Sequence, residues 1–290
     1  MKKILFCLLG LGMAVQSFAQ LESKKGEPIL PEEGDWAVAI DATPFLEYFG
    51  NFFSDASNTA PTAQFPNDQF AISVKKFASA DLAYRASARV NVFLETNRAF
   101  VPEFSQTPTN TTVEDTYTRN FNNFNFSFGL EKRKGNTRIQ GFYGAEAVLG
   151  LGTEKHTFEY GNNITPENTT PTRTEWNIDF QDDPREITTV TDEGAFVTEF
   201  KKGTTFSIGA RAFIGAEVFI FPKWSLGFEL GVSMGYFYTG NSTIISEQWT
   251  IPTGGSTEQF VTNVTDEGGD SVFRIDNDNT GGALFLSFYF

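Results

Sequence analysis

The only side chain suited by its ordinary pKa to general base work near neutral pH is the single histidine, His156. Nucleophilic catalysis would need a serine within reach of that base and a carboxylate to orient its ring. Ser207, Ser233 and Ser242 are candidate nucleophiles, and Glu154 and Glu159 flank the histidine in sequence. Gly231-Val232-Ser233-Met234-Gly235 spells Gly-x-Ser-x-Gly. That motif works on a sharp strand-to-helix turn, and here it sits inside a residue-by-residue alternation, so it reads as a chance match. A lone histidine in a loop is ordinarily polar surface. No catalytic residue is therefore assigned, and the chain is expected not to be an enzyme. A rim-located lipid-modifying enzyme using His156 is the least favoured alternative.

Other chemistries are excluded by count. One Cys and one His cannot build a disulfide framework or a Cys/His zinc site. Asp276-Asn277-Asp278-Asn279-Thr280-Gly281 looks like the start of a calcium loop. Thr280 stands where a carboxylate or amide is needed, and the twelfth position is Ser287, so no metal is assigned. No nucleotide-binding loop or dinucleotide fingerprint occurs, and no cofactor is expected. With 22 basic against 36 acidic residues, the charge of −14 argues against nucleic acid as a partner.

A second set of charged residues has a regular spacing. Asp41, Lys75, Arg85, Arg89, Glu131, Glu146, Arg211, Glu217 and Glu229 all fall on the less apolar face of stretches with a period of two. The clearest stretch runs from Trp224 to Tyr236. Trp224, Leu226, Phe228, Leu230, Val232, Met234 and Tyr236 share one face, and Ser225, Gly227, Glu229, Gly231, Ser233 and Gly235 the other. Phe206–Ile220, Phe124–Leu130, Trp36–Tyr48, Phe70–Phe77, Tyr84–Leu94, Ile139–Leu151 and Gly282–Phe290 complete eight strands. Pro44 flaws the first and suggests a bulge.

The connections alternate in length. Short ones fall at 78–83, 133–138 and 221–223, and long ones at about 50–68, 96–122, 153–203 and 240–278. Even strand number, short turns at one end and long loops at the other indicate an all-β, eight-stranded, antiparallel up-and-down transmembrane β-barrel. A β-sandwich also alternates, but its outer face would carry more water-seeking side chains than the Gly- and Ser-rich face seen here. Aromatics near strand ends, such as Trp36, Tyr48, Tyr84, Trp224 and Tyr238, fit interfacial girdles.

The chain starts like a secretory signal peptide at 1–19, with Lys2 and Lys3, an apolar run and Ser17-Phe18-Ala19. Its removal would take away Cys7 and leave 20 basic against 36 acidic residues, a charge of −16. Residues 20–34 are expected to form a periplasmic tether, and 35–290 the barrel.

The chain closes on Gly282-Ala283-Leu284-Phe285-Leu286-Ser287-Phe288-Tyr289-Phe290. Gly281, Leu284, Leu286, Phe288 and Phe290 resemble the C-terminal signal by which barrel assembly machinery recognises outer-membrane proteins. With the signal peptide and the eight strands, the chain resembles the small OmpA-type and OmpW-type barrels of Gram-negative bacteria. The resemblance implies a monomeric barrel in the bacterial outer membrane, in contact with its lipids, and implies no shared activity. No peptidoglycan-binding domain is expected after the barrel.

Eight strands leave an interior just wide enough for side chains. Charges of both signs in so narrow a space should pair, because an unpaired buried charge is very costly. A plugged interior is expected, with a narrow channel for small solutes or ions as the alternative. Residues 157–198 carry nine acids against two arginines, and 241–279 carry seven against one. These acidic stretches, with Trp176 and Trp249, are read as extracellular loops that solubilise the mouth and offer a surface for a protein partner.

Overall fold

The computed structural model describes residues 21–23, 25–41, 72–105, 110–178, 187–188 and 195–290, with the backbone alone at 41, 177–178, 187–188 and 276–283. The signal peptide at 1–19 and the bulge expected at Pro44 lie outside the described residues.

The structure is all-β. In chain order the strands are β1 (Trp36–Asp41), β2 (Ile72–Ser79), β3 (Leu82–Pro102), β4 (Thr112–Lys134), β5 (Ile139–Glu159), β6 (Asn177–Ile178), β7 (Ile187–Thr188), β8 (Phe196–Lys201), β9 (Thr205–Phe221), β10 (Trp224–Thr239), β11 (Ser242–Thr250), β12 (Gln259–Glu267) and β13 (Asp270–Tyr289). Every pairing is antiparallel. Eight strands close a ring in the order β1-β2-β3-β4-β5-β9-β10-β13, with β13 returning to β1.

Alternation sets the two faces. On the outside, Val90 lies opposite Phe124, Ala88 opposite Phe126, and Leu226 opposite Val218. Such β-branched and aromatic cross-strand pairs stabilise a sheet wherever it sits. The turns at 80–81, 135–138 and 222–223 all lie at one end. Lys223 adopts the left-handed region at φ 60° in the last of these. Trp36 and Phe290 exchange backbone hydrogen bonds of 2.8 and 2.9 Å at the same end.

At the other end the strands run further than the apolar pattern does. β3 and β4 pair without a break from Leu82–Lys132 to Pro102–Thr112, so much of 96–122 is strand rather than loop. β5 pairs with β9 over Ile139–Gly152 and with β8 over Lys155–Thr157. β8, β11 and β12 thereby extend the sheet beyond the ring. These segments mix Thr, Ser and acids with apolar residues in no strict alternation, so no apolar period marks them.

Residues 21–23 and 25–35 cross the short-turn end. Ile29 is fully buried against Ala37, Phe77, Ala83, Phe219 and Tyr289. The Lys223 amide donates to the Ile29 carbonyl (3.3 Å), and the Gly34 amide to that of Phe77 (3.0 Å). Lys223 also pairs with Asp35. The segment expected as a tether thus packs as a cap whose apolar tip enters the ring. Ile29→Ala should lower the free energy of unfolding by about 2–4 kcal/mol, the usual cost of emptying such a site. Equilibrium denaturant unfolding of the refolded chain measures this, and an unchanged midpoint would show that the cap carries no stability.

Candidate functional site

The alternation of β2, β3, β4, β5, β9 and β10 aims a set of long charged side chains at the axis of the ring. Lys75 and Glu131 form an ion pair of 2.7 Å, both buried. Arg133 donates to Glu131 at 3.0 Å through Nε and to Gln140 at 3.0 Å through Nη1. Its Nη2 meets Glu217 and the Tyr289 hydroxyl. Tyr289 donates in turn to Glu217 at 2.5 Å, and Ser225 donates to the same carboxylate. Arg85 holds Glu229 in a fork at 2.5 and 3.2 Å, and its charge also lies 3.8 Å from Glu131 and 3.7 Å from Glu146. Arg211 bridges Glu146 (3.1 Å) and Glu229 (2.7 Å), while Ser127 donates to Glu146. Four carboxylates and four cations so form one connected network across the interior.

Aromatic rings fill the space between these charges. The Lys75 ammonium lies 5.1 Å from the Phe142 ring centre and 5.2 Å from that of Phe285, and the Arg85 guanidinium lies 4.6 Å from that of Phe213. Such contacts add about 0.5–2 kcal/mol each when desolvated. Inward glycines make room for the rings. A Cβ on Gly215 would enter the Phe142 ring, and one on Gly227 would enter that of Phe285. The small residues of the inner face are therefore sockets for neighbouring aromatics.

Of the nine inward charges expected, Lys75, Arg85, Glu131, Glu146, Arg211, Glu217 and Glu229 meet in this network. Arg89 is half-buried on the same face of β3. The Asp41 side chain lies outside the described residues. Arg133, Gln140, Ser225 and Tyr289 complete the cluster and were not expected in it. The short connection expected at 133–138 includes Arg133, but β4 runs to Lys134, and parity from Gly129 and Glu131 puts Arg133 inside. Tyr289 alternates with the outward pair Phe288 and Phe290 in the same way. Of the C-terminal positions, Leu284, Leu286 and Phe288 oppose Phe228, Leu226 and Trp224 on the outer face, and Phe288 lies 5.7 Å from the Phe290 ring. Gly281 lies within β13, and its surroundings lie outside the described residues.

A second cluster sits further along β4 and β5. His156 is not on a surface loop but buried on the inner face of β5. Its Nδ1 lies 2.9 Å from the Tyr117 hydroxyl and its Nε2 lies 3.1 Å from Glu154. A tautomer with the proton on Nε2 satisfies both contacts. Arg119 donates to the same Glu154 oxygen through Nε (3.0 Å) and Nη2 (2.7 Å). Burial opposes the Glu154 charge, but these bonds from His156 and Arg119 outweigh it and hold the pKa below the usual carboxylate value. Burial pushes the Tyr117 hydroxyl up to about 12. Both ring nitrogens thus face Tyr117 and Glu154 rather than Ser207, Ser233 or Ser242, and Gly231–Gly235 lies wholly within β10.

Trp176 lies 5.6 Å from the Tyr117 ring and packs on the cluster of Phe158, Val197 and Phe200. Buried Asp115 accepts the amides of Gly161 (2.9 Å) and Thr174 (2.6 Å). Residues 160–176 are pinned to the sheet by these contacts. Between the two clusters lies a cavity of about 600 Å³ whose wall includes Asn91, Asn123, Asn125, Arg119 and Arg274. Among the described residues, no group of three or more His, Asp or Glu side chains is arranged to hold a metal ion. Comparison of the sequence with protein families and with curated proteins finds no match.

Arg133→Met would leave Glu131 and Glu217 buried without their shared cation, and should destabilise the chain by about 3–5 kcal/mol. Adding Glu217→Gln to that variant should recover part of the loss. Denaturant midpoints of the two variants test this, and a harmless single substitution would show that the carboxylates are not ionised together.

Proposed function

We propose that the chain is a non-enzymatic outer-membrane β-barrel protein with a plugged interior, whose acidic far end serves a structural or partner-binding role. The observation that carries this reading is the inversion of the ring. Its outer face exposes Val90, Val92, Leu94, Phe128, Leu130, Ile208, Ile214, Val232 and Met234. Its inner face holds the ionic network. A patch of this extent is abnormal on a protein surrounded by water and normal against lipid.

The dimensions support it. From Tyr84 to Leu94 the outward side chains of β3 are apolar or aromatic, and Thr96 ends the run. Those eleven residues match the roughly 9–11 that a tilted strand needs to cross a bilayer. Exposed Trp36, Tyr84 and Trp224 rim the short-turn end, and exposed Tyr236 and Tyr238 rim the other. Both rings suit the two interfaces. The resemblance to OmpA-type and OmpW-type barrels belongs to the same reading, as does contact with assembly machinery through the outward residues that end β13.

The inner face argues for a barrel that does not conduct. Arg85, Arg133 and Arg211 span the interior with their carboxylates, and Ile29 closes the end below them. An acidic surface at the far end then remains as the part available to a partner. Ile214, an outward residue in the middle of β9 that is 62% exposed, gives the test of the membrane. Ile214→Arg should cost about 2–4 kcal/mol in lipid vesicles, whereas on a water-exposed sheet it would be harmless. Planar bilayers test the plug. The refolded chain should give no stable conductance steps, and reproducible porin-sized steps would overturn the plugged reading.

A further inference from the structure

We propose that the cavity above the ionic network is a binding site for a small anionic, hydroxyl-rich ligand of the size of a sugar acid or sugar phosphate. The cavity holds about 600 Å³, within the roughly 300–1,000 Å³ typical of small-molecule sites. Its wall joins three kinds of group that such a ligand needs. Asn91 and Asn123 are cross-strand partners, and Asn125 donates to Asn123 at 2.8 Å. This amide row offers paired donors and acceptors to neighbouring hydroxyls. Phe93, Phe121 and Phe237 supply flat apolar faces. Arg119, Lys202 and Arg274 bring positive charge against Glu154 and Asp270, which leaves the wall net positive inside a strongly acidic protein.

Arg119 shows that the site is built. Its guanidinium lies 5.9 Å from the Phe93 ring centre and 5.8 Å from that of Phe121, and Glu154 fixes two of its nitrogens. Glu154 is held by His156, and His156 by Tyr117. The plugged-barrel reading gives this relay no task. Here it holds a planar fork of donors rigid at a cavity wall, and a fixed guanidinium recognises a carboxylate or phosphate at low entropic cost. The Glu154 contact uses Nε and Nη2, so Nη1 is the donor the relay does not consume. Arg274 lies over Phe237 at 5.8 Å on another part of the wall and supplies a second cation.

The test is calorimetric titration of the refolded full chain with glucuronate, glucose 6-phosphate and glucose. Saturable binding of either anion, with glucose at least about tenfold weaker, is the expected result. The anion that binds identifies carboxylate or phosphate as the recognised group. Arg274→Gln, on an exposed side chain, should weaken that binding about tenfold. Arg119→Gln should weaken it at least as much, and Arg119→Lys should recover part. The proposal is overturned if neither anion gives saturable heat, or if glucose binds as well as the anions and Arg274→Gln changes nothing. Silence in planar bilayers is expected whichever way the titration falls, so the plugged-barrel reading stands or fails separately.

Discussion

The ionic bond between Arg133 and the two buried carboxylates Glu131 and Glu217 is the constraint on which the closed end of the ring depends. Arg133 comes from β4, Glu217 from β9 and the Tyr289 hydroxyl from β13, so this one side chain ties together three strands distant in sequence. A guanidinium suits that position because its five donors can serve four acceptors in one plane. The rings of Phe77, Phe219 and Tyr289 lie within 6 Å of it and exclude water. Desolvated charges of this kind are costly alone, and they persist only because every one meets an opposite charge. The cap follows from the same demand. Ile29 covers the aromatic floor around Arg133 and keeps solvent from competing for its partners.

Ion pairing also explains why the ring needs no ordinary hydrophobic core. Its large apolar side chains point outward, and few remain for the axis. Ala39, Phe142, Phe213 and Phe285 form a small interior cluster, and cations lie over three of its rings. In the proposed membrane setting the outer face is satisfied by lipid, and interior charges set the fit. Opposed charges specify register strongly, since a slip of one residue would turn each of them toward lipid.

Much of this was legible because a strand has a period of two. Parity alone aimed Lys75, Arg85, Glu131, Glu146, Arg211, Glu217 and Glu229 inward, and all seven meet. What parity concealed has physical causes. Arg133 lay beyond the last apolar outward residue, Leu130, where the apolar signal stops but the strand does not. The strand position and burial of His156 were hidden for the same reason, since β5 continues past Leu151 with Thr153, Lys155 and Thr157 facing outward. β8, β11 and β12 scatter apolar residues such as Val197, Phe200 and Ile244 among Thr, Ser and acids, so no strict alternation marks them. Ile29 sits in an irregular segment, and its partners are brought together only when the ring closes.

The extent of β4 and β5 beyond the apolar band connects these oversights. Strands that served only to cross an apolar layer could stop near Phe124 and Leu151. Instead they continue and carry Tyr117, Arg119, Glu154 and His156 into a buried relay, with Trp176 and residues 160–176 folded over it. Lower in the ring each buried charge is matched by its opposite across the axis. In the relay, two hydrogen-bonded side chains back one carboxylate, and that carboxylate holds a single arginine at a cavity wall. Closure of the ring explains the first pattern. It leaves the second unexplained, because a turn of a few residues after Leu151 would have closed the hairpin with no buried histidine or carboxylate to satisfy. Rigid presentation of the Arg119 guanidinium accounts for both the added length and the buried polar groups.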